Sequence, residues 1–197
     1  MSIPRIDVHF HYLPGFYRQA LADNGQSKPD GMPAIPGWSE ASALETMDTL
    51  GVQSAMLSIS SPGIHFGDGA AALALAQRIN DEGARLKRER PDRFGFFAIT
   101  PLPDVDAATA EAVRTLDELG ADGVSVETNH NGVYLGDEKM DSFYQALSDR
   151  HAVVFIHPTS PSCPCCETLA LGYPRPMLEF MFETTRTVSQ MILSGAT

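Results

Sequence analysis

No stretch of this sequence reaches the roughly 18 consecutive apolar residues of a membrane-spanning helix, and the N-terminus lacks the apolar core of a signal peptide. Basic residues are scarce, with 14 Lys and Arg against 25 Asp and Glu and a formal charge of −11. Phosphate binding draws on a surplus of cations, so nucleic acid is not an expected partner. The densest basic run, Arg85 to Arg90, falls where a helix should end, and there it complements the helix dipole as a solvated face. Cysteine is confined to Cys163, Cys165 and Cys166, an odd number in one place, which argues against a disulfide framework. The trio also lacks the CxxC spacing of a zinc loop and reads as oxidation-prone loop thiols rather than a structural metal site. Together these absences predict a cytoplasmic protein without a membrane partner.

What is present is alternation. Ile6 to His11 reads as a first strand. Residues 12–38 hold four prolines and four glycines, too many for one helix, and predict an irregular insertion with at most a short helix. A helix capped by Ser39 or by the Ser42/Glu45 pair buries Leu44, Met47 and Leu50 and stops at Gly51. Strands over 54–60, 94–100, 123–127 and 152–156 then alternate with helices. These helices run over 69–90, from a cap at Asp106 to Gly120, through Met140 to Leu147, and over 176–194. The last is expected to bury Phe180, Thr184, Val188 and Met191.

Five β-then-α units imply a parallel sheet with right-handed crossovers. A glycine-rich phosphate turn after the first strand would favour an open doubly wound sheet, but "HFHYLPG" contains no GxGxxG. The expected architecture is therefore α/β, a (β/α)8 TIM barrel. Such a barrel takes about 250 residues, and the 197 here supply five units. Residues 1–197 are thus expected to be the N-terminal part of one barrel domain, and the full protein longer.

In "IDVHFH", side chains two apart share a face, so Asp7, His9 and His11 point one way and Ile6, Val8 and Phe10 the other. The apolar set can pack under helices, which turns the imidazoles toward the barrel axis. His157 closes the fifth strand in "AVVFIHP", and in a parallel barrel all strands end on one rim, where active sites are assembled. His9, His11 and His157 are therefore candidate ligands of one metal ion. Ser60, Thr100 and Asn129 end strands on the same rim and are candidates for substrate contact. His65 and His130 fall in loops on that rim, and His151 at the opposite end of the fifth strand. Trp38 and Tyr12 either wall an aromatic ring or pack the first loop.

These segments resemble a known family. "IDVHFHYLP", "FIHP" and "FETTRTVSQMILSG" look like the aminocarboxymuconate-semialdehyde-decarboxylase-like branch of the amidohydrolase superfamily. Within it, "LPGFYRQAL", "MDTLGV", "PDRFGFFA" and "YLGD" are closest in look to 6-methylsalicylate-decarboxylase-like proteins. The resemblance implies a distorted barrel with one divalent metal, usually zinc and sometimes manganese, and no organic cofactor. It implies non-oxidative decarboxylation of a small aromatic or unsaturated carboxylic acid such as a salicylate-type hydroxybenzoate, by a protein that is often a homodimer. The family's HxH maps onto His9 and His11, and its fifth-strand histidine onto His157.

The family also uses a proton-transferring histidine ending strand six and a metal-binding aspartate ending strand eight. Neither strand falls within these residues, so no catalytic residue is assigned and the chain alone is expected to be inactive. A metal-dependent amidohydrolase or lactonase is the rival, but the second metal of such enzymes is bridged by a strand-four lysine, which "GVSVET" lacks. A catalytically incomplete fragment acting through self-association of its open sheet edge is the reading of a different class.

Overall fold

The computed structural model describes residues 4–164 and 166–196, apart from the side chains of Cys166 and Glu167. The first half runs β1 (Arg5–His11), α1 (Gly15–Asp23), α2 (Glu40–Leu50), β2 (Val52–Ser58), α3 (Gly69–Glu89), β3 (Phe94–Ile99) and α4 (Val105–Asp117). Then come β4 (Gly123–Glu127), a small hairpin of β5 (Asn129–His130) and β6 (Val133–Tyr134), α5 (Asp141–Ser148), β7 (Val154–His157), α6 (Cys166–Leu169) and α7 (Glu179–Ser194). Strands β1-β2-β3-β4-β7 form one parallel sheet in that order, each unit laying its strand beside the last. The hairpin, unexpected in a stretch read as loop, turns on Asn131 and Gly132, both at positive φ.

The sheet is strongly curled, and one distance proves it. Four strand spacings of about 4.8 Å would set the two edge strands about 19 Å apart in a flat sheet. Yet the Nε2 atoms of His11 on β1 and His157 on β7 stand 3.1 Å apart. Five strands thus form about half a barrel wall, as the α/β reading expects. Two apolar cores back it. One packs Tyr12, Tyr17, Met47, Ile79 and Phe96 beneath the helices of the first half. The other gathers Val124, Val126, Leu135, Phe143 and Met191 in the second.

Local chemistry sets the element ends. Ser39, not Ser42 with Glu45, caps α2: its hydroxyl accepts from the Ser42 N–H, and the Ser42 hydroxyl accepts from the Ser39 N–H. Asp104 rather than Asp106 caps α4 by accepting from the Ala107 N–H. The insertion over 12–38 does hold a helix, α1, followed by a single helical turn at Pro29–Gly31. The basic run at the end of α3 is spent on the chain's own carboxylates, Arg85 on Glu82 and Glu89, Lys87 on Asp122 and Arg90 on Glu40.

Three expectations about buried faces fail, the first at Leu50, which closes α2 and is 57% exposed. Ile6 and Val8 are 65% and 54% exposed, because β1 is a sheet edge with no helix of the described residues over that face. Helix α7 buries Glu179, Glu183, Thr187 and Met191 instead of the Phe180/Thr184/Val188 stripe. Hydrogen bonds draw that polar face inward: Asn129 Nδ2 and Tyr134 Oη donate to Glu183, and Thr187 Oγ1 donates to the Thr128 carbonyl.

β4 and β7 meet closely at Gly123, where a Cβ would lie 2.4 Å from the Val153 carbonyl oxygen. Backbone cannot yield there without breaking the ladder. Gly123→Ala is therefore expected to lower unfolding free energy by about 1–3 kcal/mol in urea titration; an unchanged midpoint would contradict the close approach.

Candidate metal centre

The first pair of imidazoles comes from β1. The ladder to β2 is irregular between Asp7 and Phe10, so the strand bulges where His9 stands. Bulges re-aim side chains beside functional sites. Here His9 Nε2 lies 3.0 Å from His11 Nε2. His157, at the end of β7, brings its Nε2 to 3.1 Å from the same His11 nitrogen. Among the described residues these three form a group whose ligand atoms all lie within 4.8 Å of one another.

The donor set fits a cation. His11 Nδ1 stands 3.3 Å from the Ser58 carbonyl oxygen, which can only accept. The Ser58 hydroxyl lies 3.2 Å from the same Nδ1 and can accept as well, so a proton on Nδ1 serves both contacts and leaves the Nε2 lone pair facing its neighbours. One lone pair between two neighbouring nitrogens cannot satisfy both, whereas a shared ion satisfies all three. Nitrogens about 2.0–2.1 Å from one ion stand about 2.9–3.4 Å apart for octahedral to tetrahedral angles, which brackets the His9–His11 and His11–His157 spacings, while His9 and His157 stand within 4.8 Å of each other. Electrostatics agree with neutral ligands. Burial, then the neighbouring His9, hold His11 down to about 4. Burial, then His11 and His9, hold His157 down to about 3. Both are ready to bind a cation without first losing a proton.

Aromatic rings fix the geometry. Phe155, two residues before His157 on β7, meets the His9 ring edge-on at 5.2 Å and stacks on Phe97. Phe180 of α7 meets His157 at 6.3 Å. The triad opens into a cavity of about 340 Å³ whose other walls are mostly apolar and come from the first loop, the β2–α3 turn and the approach to α7. Leu13, Leu21, Ile35, Pro36, Pro158 and Phe180 contribute, and no lysine or arginine does.

The remaining predicted residues divide. Ser60 lines this cavity. Thr100 lines instead a smaller one of about 30 Å³, across the Ser60–Gly63 turn, together with His65, His130 and Glu127. Asn129 lines neither: its amide donates to the Ser160 carbonyl and to Glu183, and its oxygen accepts from the Gly132 N–H. His130 accepts from the Glu127 N–H, and burial followed by His65 holds it down to about 3. His151 is exposed at the far end of β7. Tyr12 is fully buried, donates to the Ile79 carbonyl and packs edge-on against Trp38, so these two rings serve the loop's packing. Arg186 pairs with the buried Glu183 of its own helix. Cys163 is disulfide-bonded, contrary to the expectation of free loop thiols, and Cys165 and the Cys166 side chain lie outside the described residues.

Two carboxyl groups escaped the sequence reading. Asp30 lines the triad's cavity from the first loop. Glu127 ends β4 beside His157 in the ladder. Its Oε1 is buried without a hydrogen-bond partner among the described residues, although the residue keeps some surface. Burial, and secondarily Asp30, push Glu127 up to about 8.

A family model described as amidohydrolase matches residues 6–196. A 6-methylsalicylic acid decarboxylase of Aspergillus aculeatus, acuB, is 40% identical over 195 residues, which take in 97% of this chain and 58% of that protein. A crystal structure of an amidohydrolase II superposes with a TM-score of 0.90 at 36% identity, over 95% of this chain and 60% of that one. One of 2,6-dihydroxybenzoate decarboxylase complexed with 2,6-dihydroxybenzoate gives 0.79 at 25% identity, over 98% and 63%. The chain thus spans somewhat more than half the length of these three proteins.

Proposed function

Because the chain belongs to the amidohydrolase family, we propose that the protein is a metal-dependent decarboxylase of a small aromatic hydroxy acid, with His9, His11 and His157 as ligands of one divalent ion. The observation that carries this is the meeting of three imidazoles, from exposed His9 to buried His157, on the lining of a mostly apolar cavity. When bound, zinc or manganese would supply a Lewis-acidic anchor for a carboxylate. No lysine or arginine lines the cavity to compete for that anion. The apolar walls hold a flat ring and exclude water from the carbon that loses its carboxylate. Phe155 and Phe180 keep the His9 and His157 rings in place, and Ser60 offers a hydroxyl at the rim. The similarity to 6-methylsalicylic acid and 2,6-dihydroxybenzoate decarboxylases supports this substrate class. A homodimer is the assembly proposed for the full protein.

The test is carbon dioxide release from salicylate-type acids by the full-length protein loaded with zinc or manganese, beside its His9→Ala variant. Release is expected from the former and at least about a hundredfold slower from the latter. Equal rates, or hydrolysis of an ester or lactone without carbon dioxide, would overturn the assignment.

A further inference from the structure

Asp30 is the one carboxylate among the described residues lining the triad's cavity, and it is 8% exposed. It stands between Pro29 and Gly31 at φ 54°, ψ 24°, a left-handed conformation uncommon outside glycine. Aspartate tolerates that conformation better than most residues, so the cost to be offset is chiefly that of burying a carboxylate, and buried carboxylates beside a cavity are candidates for serving a ligand. One oxygen is committed: Ser160 Oγ donates to Oδ1, and Arg175 Nε in turn donates to Ser160 Oγ at 2.7 Å. This relay ties the first loop to the segment after β7. The other oxygen, Oδ2, takes no hydrogen bond among the described residues. The described lining of the cavity includes the apolar Pro29, Met32, Ile35 and Pro176 as well as Ser60 and Ser61.

Resting on the decarboxylase reading above, we infer that Asp30 determines specificity. Its free oxygen accepts a hydrogen bond from an O–H or N–H group that the substrate ring carries away from the carboxylate held at the triad. The same carboxylate turns away a ring bearing a second carboxylate, since Arg175 reaches it only through the Ser160 hydroxyl and no lysine or arginine is among the described lining residues. A site built to pair with a polar substituent rejects the analogue lacking it more sharply than an apolar pocket rejects a methylene, because the buried oxygen is left unpaired.

The experiment is calorimetric binding to the full-length, metal-loaded protein. The ligands are salicylate, the three dihydroxybenzoates that carry one hydroxyl beside the carboxylate and one elsewhere on the ring, their methyl ethers at the second hydroxyl, and a hydroxyisophthalate. At least one dihydroxybenzoate is expected to bind about tenfold more tightly than salicylate and than its own methyl ether, and the dicarboxylate more weakly than salicylate. Asp30→Ala is expected to erase the preference for the second hydroxyl, and Asp30→Asn to relieve the penalty on the dicarboxylate, with one metal per chain retained in both. Should Asp30→Ala fail to fold, the methyl-ether series on the unaltered protein and Asp30→Asn still decide. Absence of the hydroxyl preference in the unaltered protein, or its survival in Asp30→Ala, would overturn the role of Asp30 while leaving the decarboxylase reading intact. Failure of every acid to bind would overturn both.

Discussion

Replacing His157 by alanine is expected to weaken divalent-metal binding by about a hundredfold to a thousandfold. Loss of a group that merely orients a ligand costs about 10–100-fold, and a ligand itself costs more. His157 is 3% exposed, and its ring lies within 5.0 Å of both His9 and His11, so no other described side chain can move into its place without disturbing the wall. A chromophoric chelator in competition with the protein reads the change directly. His151→Ala is the matched control, since that imidazole is exposed at the opposite end of the same strand; its affinity should equal that of the parent. Unaltered affinity in His157→Ala would remove β7 from the centre.

Glu127→Gln is expected to make stability less dependent on pH. In the unfolded chain Glu127 titrates near its ordinary 4.5, whereas burial raises it to about 8 in the fold. Above 4.5 the unfolded state releases a proton that the folded state keeps, so the unfolded state binds fewer protons and stability falls as pH rises. The loss accrues at about 1.4 kcal/mol per pH unit and levels off once the folded-state group ionises near pH 8. Glutamine fills the same space and carries no titration. Below pH 4.5 the two proteins should differ by a constant. By pH 9 the glutamine variant should have gained about 3–5 kcal/mol relative to the parent. Urea unfolding at pH 4, 6 and 9 gives the comparison. Parallel pH dependences would mean that the Glu127 carboxyl is solvated and that the turn at Gly63, where a Cβ would stand 2.8 Å from Glu127 Oε2, does not enclose it.

The order of elements was legible because each strand is a short apolar run between turn residues. The strand over Gly123–Glu127 falls where the pattern put it. Helix starts shifted by a residue or two, since several aspartates and serines compete as caps and only the backbone settles which accepts the bond. The β5–β6 hairpin was announced by Asn131-Gly132, the strongest short turn signal available, but two-residue strands leave no alternation to detect. Buried faces were less legible. Periodicity says that α7 is amphipathic without saying whether its apolar or its polar edge meets β4 and the hairpin, and the bond from Thr187 to Thr128 decided for the polar one.

The site divides along the same line. His9 and His11 are two apart on one strand, so their neighbourhood follows from the pleat. Their meeting with His157, 146 positions later, requires the sheet to curl, which the choice of a barrel over an open sheet supplied. Glu127 could have been found by the same alternation, two residues beyond Ser125 at a strand end. Asp30 could not, because nothing in a proline-rich loop fixes where the chain returns to the cavity.

Anomalous diffraction from crystals grown with zinc or manganese tests the centre most directly. One peak per chain is expected, about 2.0–2.2 Å from each Nε2 of His9, His11 and His157. A peak elsewhere, or none at a metal concentration that saturates binding in solution, would contradict it.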